Sequence, residues 1–129
     1  MNQKIKILYI DDDIINIELF EIVFSDSYII YTGIDGKQGI DLLSENQGID
    51  VVISDMKMPG MNGLEFIELA KKKYPDKLYF LLTGYGINNE IQDAIKNGLI
   101  INCLSKPFNK ELIDAEINKA LILLMLNKK

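Results

Sequence analysis

The sequence contains no histidine, no arginine and no tryptophan, and its only cysteine is Cys103. Without histidine, the chain supplies no Ser-His-Asp triad, no histidine metal site and no phosphohistidine of its own. Without arginine, it offers no guanidinium clamp, and all 14 basic side chains are lysines. A single cysteine excludes an internal disulfide and a cysteine-rich metal site.

The charge balance is acidic, with 19 Asp and Glu residues against 14 lysines and a formal net charge of -5. Nucleic acid phosphates favour a basic surface, so this balance argues against nucleic acid binding by this chain. No apolar run approaches the ~20 residues of a membrane span, and residues 1–9 do not form a secretory signal. We therefore expect a cytoplasmic protein without a membrane role.

Short apolar runs alternate with segments of helical periodicity along the whole chain. Runs rich in Ile, Val, Leu and Tyr are typical of a parallel sheet that is covered on both faces. Five strand–helix units predict a single α/β domain over residues 1–129, a doubly wound five-stranded parallel sheet in the flavodoxin-like order 2-1-3-4-5. The predicted strands are Ile5–Ile10, Tyr28–Tyr31, Val51–Ser54, Leu78–Leu82 and Ile100–Leu104. The predicted helices are Ile14–Phe24, Lys37–Glu45, Leu64–Lys73, Asn89–Asn97 and a last helix that Asn109 caps.

Polar residues with complementary chemistry follow four of the predicted strands. The first strand ends in three aspartates, of which Asp11 and Asp12 are candidate ligands and Asp13 is a helix N-cap. Asp55 ends the third strand, Thr83 ends the fourth and Lys106 follows the fifth. Because parallel sheets of this kind bind ligands beyond the carboxyl ends of their strands, we expect these groups to meet.

This set of groups favours metal-assisted phosphoryl transfer. Clustered carboxylates repel one another unless a cation lies among them, and Mg²⁺ prefers oxygen ligands of this type. The Lys106 ammonium and the Thr83 hydroxyl suit phosphoryl oxygens. Asp55 is then the candidate nucleophile, since it lies between the acidic pair and the threonine.

At these positions the chain resembles the receiver domain of bacterial two-component response regulators. The resemblance runs from about Lys4 to about Leu124, and four motifs in chain order carry it. They are Asp11-Asp12-Asp13, the segment from Asp55 to Gly63 with its Met58-Pro59 turn, Thr83-Gly84, and Lys106-Pro107-Phe108.

The resemblance implies a role for each motif residue. Asp55 is the phosphoacceptor, and the metal is Mg²⁺ or Mn²⁺, held by Asp12, Asp11, Asp55 and the backbone carbonyl of Lys57. Lys106 and Thr83 contact the phosphoryl group, Gly84 leaves room for it and offers its N–H, and the Lys106–Pro107 bond is cis.

The resemblance also implies partners. A sensor histidine kinase supplies the phosphoryl group, and the switched form controls a downstream effector, a fused output domain that this chain lacks, or a second copy of the chain. The protein is then not an enzyme in the usual sense, because it promotes only its own phosphorylation and dephosphorylation.

Three positions near the motifs affect the expected switch and the lifetime of the phosphorylated form. Most receivers carry an aromatic residue where Cys103 stands, and a buried Cys103 cannot reproduce the movement of that ring. Tyr85 and Lys57 border the site, and a bulky Tyr85 that hinders water predicts a phosphorylated form that lasts at least minutes.

Alternatives remain open at this stage. A receiver-like module that binds a partner without phosphorylation is the main one. The acidic pair, Asp55, Thr83 and Lys106 argue against it, whereas Cys103 leaves it open. A metal-dependent phosphatase is less favoured, because Lys57 stands where such enzymes carry a second aspartate. The apolar run Leu121–Leu126 in the last helix fits equally a helix end that is buried on two sides or a contact surface.

Overall fold

A parallel five-stranded sheet with helices on both faces makes up the computed structural model, which describes residues 4–127. The strand order is β2-β1-β3-β4-β5, which confirms the predicted topology. The strands are β1 (Lys6–Ile10), β2 (Ile29–Gly33), β3 (Val51–Asp55), β4 (Leu78–Thr83) and β5 (Asn102–Ser105). The helices are α1 (Ile14–Phe24), α2 (Gly36–Glu45), α3 (Gly63–Lys73), α4 (Asn89–Lys96) and α5 (Lys110–Asn127).

The two faces of the sheet form two separate apolar clusters. Alternate residues of a strand point to opposite faces, so Ile7 and Tyr9 pack with α1 and α5, whereas Leu8 and Ile10 pack with α2, α3 and α4. Every residue of β3 and β4 is buried. This explains why these two strands are continuous apolar runs in the sequence.

Asparagine and aspartate side chains begin the helices. Asp13 accepts a hydrogen bond from Ile15 N–H at the start of α1, and Asn109 accepts one from Leu112 N–H at the start of α5, as predicted. Asn62 and Glu65 form a reciprocal capping box at the start of α3. These caps fix the residue at which each loop from the carboxyl end of a strand ends and the next helix begins.

The boundaries of β5 differ from the prediction. The run from Ile100 was expected to begin the strand, but the strand begins at Asn102. The backbone N–H groups of Leu99 and Ile100 both donate to the carbonyl of Ala94, so these residues complete the end of α4. Ile100 is apolar and buried, as strand residues are, so the sequence pattern alone did not separate the α4–β5 connection from the strand.

The apolar end of α5 is largely exposed. Leu121 and Leu124 pack partly against the core, but Ile122, Leu123, Met125 and Leu126 are between 51% and 71% exposed. The interpretation of a helix end buried on two sides is therefore wrong for the described residues. The contact-surface interpretation stays a prediction.

No helix within residues 4–127 combines the length and the apolar character that crossing a membrane requires.

Gly63 is the closest point between α3 and the end of β3. A Cβ atom at this position would lie 2.3 Å from the Asp55 carbonyl oxygen, which is backbone and cannot rotate away. We predict that Gly63→Ala lowers the free energy of unfolding by about 1–3 kcal/mol, although alanine favours helix. Chemical denaturation checks this, with Gly48→Ala as control because its new Cβ would meet only the Lys6 side chain, at 3.2 Å. Equal stability of the two variants would contradict the steric argument.

Candidate functional site

A cavity of about 490 Å³ opens at the carboxyl ends of the strands. The register pairs Ile10 with Ser54 and Asp55 with Leu82, so the residues that follow β1 lie beside the end of β3. The cavity is therefore lined by residues from four separate parts of the chain. They are Asp11, Asp12, Asp13, Asn16, Asp55, Lys57, Gly84, Tyr85 and Lys106.

Asp11 is fully buried and accepts hydrogen bonds on both carboxylate oxygens. Its Oδ2 accepts from the Tyr9 hydroxyl at 2.6 Å, from Asn16 Nδ2 at 3.2 Å and from Lys106 Nζ at 3.1 Å. Its Oδ1 accepts from the Asp13 N–H at 3.0 Å. The orientation of this carboxylate is thus determined by its surroundings.

Asp55 is 7% exposed at the end of β3, and Lys106 Nζ lies 3.2 Å from its Oδ2. The same ammonium therefore bridges Asp11 and Asp55. The Lys106 N–H donates to the carbonyl of Thr83 at 2.9 Å, and the Lys106–Pro107 bond is cis, as the resemblance implies.

Burial and charge act in opposite directions on the two carboxyl groups. Burial alone would raise the pKa of Asp11, but the hydrogen bonds from Tyr9, the Asp13 backbone and Lys106 outweigh it and hold the pKa below its ordinary value. Burial and the neighbouring Asp11 charge raise the pKa of Asp55, and Lys106 only partly offsets them. The pKa of Lys106 is raised despite burial, because two carboxylates face it.

Carboxylate oxygens of Asp11, Asp12 and Asp55 lie within 4.8 Å of one another. Asp11 and Asp55 are buried, whereas Asp12 is exposed at the cavity mouth. Four aspartates and two lysines line the cavity, so its formal charge is negative. An all-oxygen donor set of this kind fits a hard divalent cation.

Lys57 and Tyr85 form one wall of the cavity. The Lys57 ammonium lies 4.2 Å from the centre of the Tyr85 ring, a cation–π contact. Tyr85 is 77% exposed and follows Gly84, which also lines the cavity. A Cβ at Gly84 would find only the Lys106 Cβ at 3.8 Å, so the space beside this glycine is open.

Two of the predicted site residues lie outside this cavity. The Thr83 hydroxyl oxygen accepts a hydrogen bond from the Tyr85 N–H at 3.1 Å, and Thr83 lines a neighbouring cavity instead. Cys103 lies on β5 in a third cavity beside α5. It is half-buried rather than buried, and burial raises the pKa of its thiol to about 11, so it is an unreactive thiol near neutral pH.

Sequence reasoning missed Tyr9 and Asn16, which hold Asp11 in place. Tyr9 lies two residues before Asp11, so the period of a strand places both on one face. The Tyr9 ring stacks on Phe20 at 4.1 Å between ring centres, and its apolar surroundings concealed its polar contact. Asn16 lies in the first turn of α1, three residues after Asp13.

The raised pKa of Asp55 has a consequence for stability. A carboxyl group with a raised pKa in the folded state binds protons more tightly there, so its ionisation costs stability once the pH exceeds that pKa. We predict that Asp55→Asn in metal-free buffer raises the free energy of unfolding by of order 1 kcal/mol near neutral pH. The gain shrinks as the pH falls towards the ordinary range of aspartate.

Urea denaturation between pH 8 and pH 4 measures this difference. Asp41→Asn, an exposed change on α2, is the control and leaves stability unchanged. A loss of stability in Asp55→Asn at neutral pH would mean that the Lys106 ion pair outweighs burial and repulsion.

Comparison with known proteins agrees with this geometry. The family profile of the response regulator receiver domain matches residues 7–118. The sporulation initiation phosphotransferase F of Bacillus subtilis is 32% identical over 122 residues, 94% of this chain and 95% of that protein. A chemotaxis protein CheY homolog of Campylobacter jejuni is 35% identical over 88 residues, 67% of each chain.

Solved structures agree as well. A response regulator receiver domain protein from Clostridium thermocellum superposes with a TM-score of 0.86 at 31% identity, over 95% of this chain and 98% of the other. The profile match, these relatives and the acidic cavity lead to one conclusion: the chain belongs to the response regulator receiver domain family.

Proposed function

We propose that Asp55 accepts a phosphoryl group from the phosphohistidine of a sensor histidine kinase, and that the phosphorylated form controls a downstream partner. One observation carries this proposal. Asp55 is a buried carboxylate at the end of a rigid strand, with Lys106 at 3.2 Å and two further carboxylates beside it in an open cavity. A nucleophile, a compact cation and a metal-capable oxygen cluster are the parts that phosphoryl transfer needs.

Each residue of the site has a separate role in the proposed reaction. An Asp55 oxygen attacks phosphorus, so an O–P bond forms while the N–P bond of the donor breaks, and the imidazole nitrogen keeps the electron pair and takes a proton from water. Lys106 balances charge on the arriving oxygens, and Gly84 leaves space for them. Asp11, Asp12, Asp55 and the Lys57 carbonyl would hold Mg²⁺ or Mn²⁺, which supplies positive charge between carboxylate and phosphoryl oxygens.

Phosphorylation places new negative charge where Lys106 now bridges Asp11 and Asp55. The Thr83 hydroxyl oxygen accepts the Tyr85 N–H, and its proton is free to donate to that charge once the side chain rotates towards Asp55. The β4–α4 loop then loses a hydrogen bond and takes another arrangement. Shifting such an equilibrium from almost all off to almost all on needs roughly 5.5 kcal/mol of differential stabilisation.

The proposal predicts phosphorylation at one residue. Incubation with acetyl phosphate and Mg²⁺ adds the mass of one phosphoryl group to the intact protein. Asp55→Ala and EDTA each abolish the gain, because one removes the nucleophile and the other the cation. Asp41→Ala, on the exposed face of α2, keeps it.

Intact-protein mass spectrometry gives the answer directly. A gain that survives Asp55→Ala would place the acceptor elsewhere. No gain at any concentration of acetyl phosphate would favour the alternative, a receiver-like module that binds its partner without phosphorylation.

The wall made by Lys57 and Tyr85 predicts a long-lived phosphorylated form. The cation–π contact fixes the Tyr85 ring at the edge of the cavity, where it restricts the approach of water to phosphorus. We predict a half-life of at least minutes, which Tyr85→Ala shortens roughly fivefold, equal to about 1 kcal/mol of barrier. Tyr85→Phe keeps a ring over Lys57 and is the matched control.

Loss of the phosphorylated species on a Phos-tag gel, after removal of acetyl phosphate, follows this decay. A half-life of seconds in the wild type, or equal decay in Tyr85→Ala and Tyr85→Phe, would contradict the role of the ring.

A further inference from the structure

A second cavity, of about 570 Å³, lies beside the acidic cavity and shares Lys57 and Tyr85 with it. It opens between the segment after β3 and the loop before α4. Its apolar lining comes from Met56, Met58, Pro59, Ile87 and Ile91. This volume lies within the range of cavities that hold small molecules, and the two methionines can adapt to the shape of an occupant.

The charged group at this cavity is a lysine. Lys57 is the only charged side chain among the described residues that line it. The N-caps of α3 and α4, Asn62 and Asn88, also line it, but Glu65 and Glu90 in the first turns of these helices offset the positive ends of their dipoles. An apolar interior with positive charge at its rim suits an apolar molecule that carries one negative charge.

Thr83 connects this cavity to the phosphorylation site. It is 4% exposed and lines the second cavity, and its oxygen accepts the Tyr85 N–H at 3.1 Å. The hydroxyl proton therefore remains available for a further acceptor on this side. The same hydroxyl is the group that must turn towards a phosphoryl group on Asp55.

We propose that the second cavity binds a small apolar carboxylate, with an aryl or branched aliphatic body among Met56, Met58, Ile87 and Ile91 and its charge at Lys57. The bound carboxylate holds Thr83 in its present orientation and so opposes phosphorylation of Asp55. This opposition rests on the proposed function, whereas the binding itself does not. By reciprocity, phosphorylation of Asp55 weakens the binding of the carboxylate by the same factor by which the bound carboxylate weakens phosphorylation.

Titration of the isotope-labelled full chain with 3-phenylpropanoate, followed by amide NMR, tests the binding. We expect saturable shifts at Met56, Ile87 and Ile91. The neutral 3-phenylpropanamide has the same body without the charge and binds about fivefold more weakly, since it loses the ion pair with Lys57.

Variants locate the site. Lys57→Gln weakens the binding of 3-phenylpropanoate by about fivefold, which is the effect of losing one partly exposed ion pair. Ile87→Asp places a like charge at an exposed loop position and abolishes binding without disturbing the core. Lys37→Gln, an exposed lysine on α2, binds as the wild type does.

Three results would overturn the binding: no shifts at the solubility limit, equal affinity for the acid and its amide, or shifts centred on the exposed apolar end of α5.

The link to phosphorylation is measured separately. Saturating 3-phenylpropanoate lowers the steady-state phosphorylation of the wild type by acetyl phosphate at least twofold, and it has no effect on Ile87→Asp. An unchanged level in the wild type overturns the link. If Asp55 takes no phosphoryl group even without the ligand, the proposed function fails, and the NMR titration still decides the cavity.

Discussion

The site depends on one lysine that balances two buried carboxylates. Lys106 lies 3.1 Å from Asp11 and 3.2 Å from Asp55, and it is the only cation within ion-pair distance of either among the described residues. Removing a partner from a buried ion pair leaves an uncompensated charge, which is far more costly than the pair itself is stabilising. The balance is also incomplete, because Asp12 and Asp55 add charge that a single ammonium does not cancel. A site with this deficit favours uptake of a divalent cation.

The sheet determines where these charges lie. Asp55 ends a strand that is wholly buried between β1 and β4, so neighbours on both sides fix its backbone. Gly63 allows α3 to approach the Asp55 carbonyl, and Tyr9 and Asn16 donate hydrogen bonds to Asp11. Asp55 therefore stands at the end of a buried central strand, whereas Lys57, Gly84 and Tyr85 stand on loops. In our proposal, a buried strand places the group that is phosphorylated, and the loops around it change conformation.

Conformational coupling in our proposals does not involve Cys103. Cys103 lines a cavity beside α5 and carries no aromatic ring. Thr83 is instead joined by a hydrogen bond to Tyr85, and Tyr85 is joined by its ring to Lys57, which follows Asp55 by two residues. In our proposals this chain of contacts, with the apolar cavity behind it, takes over part of the coupling that an aromatic residue at position 103 would otherwise supply.

The sequence by itself determined the strand order, most element boundaries and the residues at the strand ends. Apolar runs of strand length, helical periodicity and N-capping residues are local signals, and a parallel sheet brings its strand ends together once their order is known. Only the folded chain shows that Thr83 accepts the Tyr85 N–H and lines the neighbouring cavity, that Tyr9 and Asn16 hydrogen-bond to Asp11, and that the end of α5 is exposed. Each of these features depends on contacts made in the folded protein. Local sequence patterns do not determine the side-chain directions that such contacts require. The start of β5 differed for the same reason: Ile100 is apolar like a strand residue, but its N–H donates to the Ala94 carbonyl in the turn that follows α4.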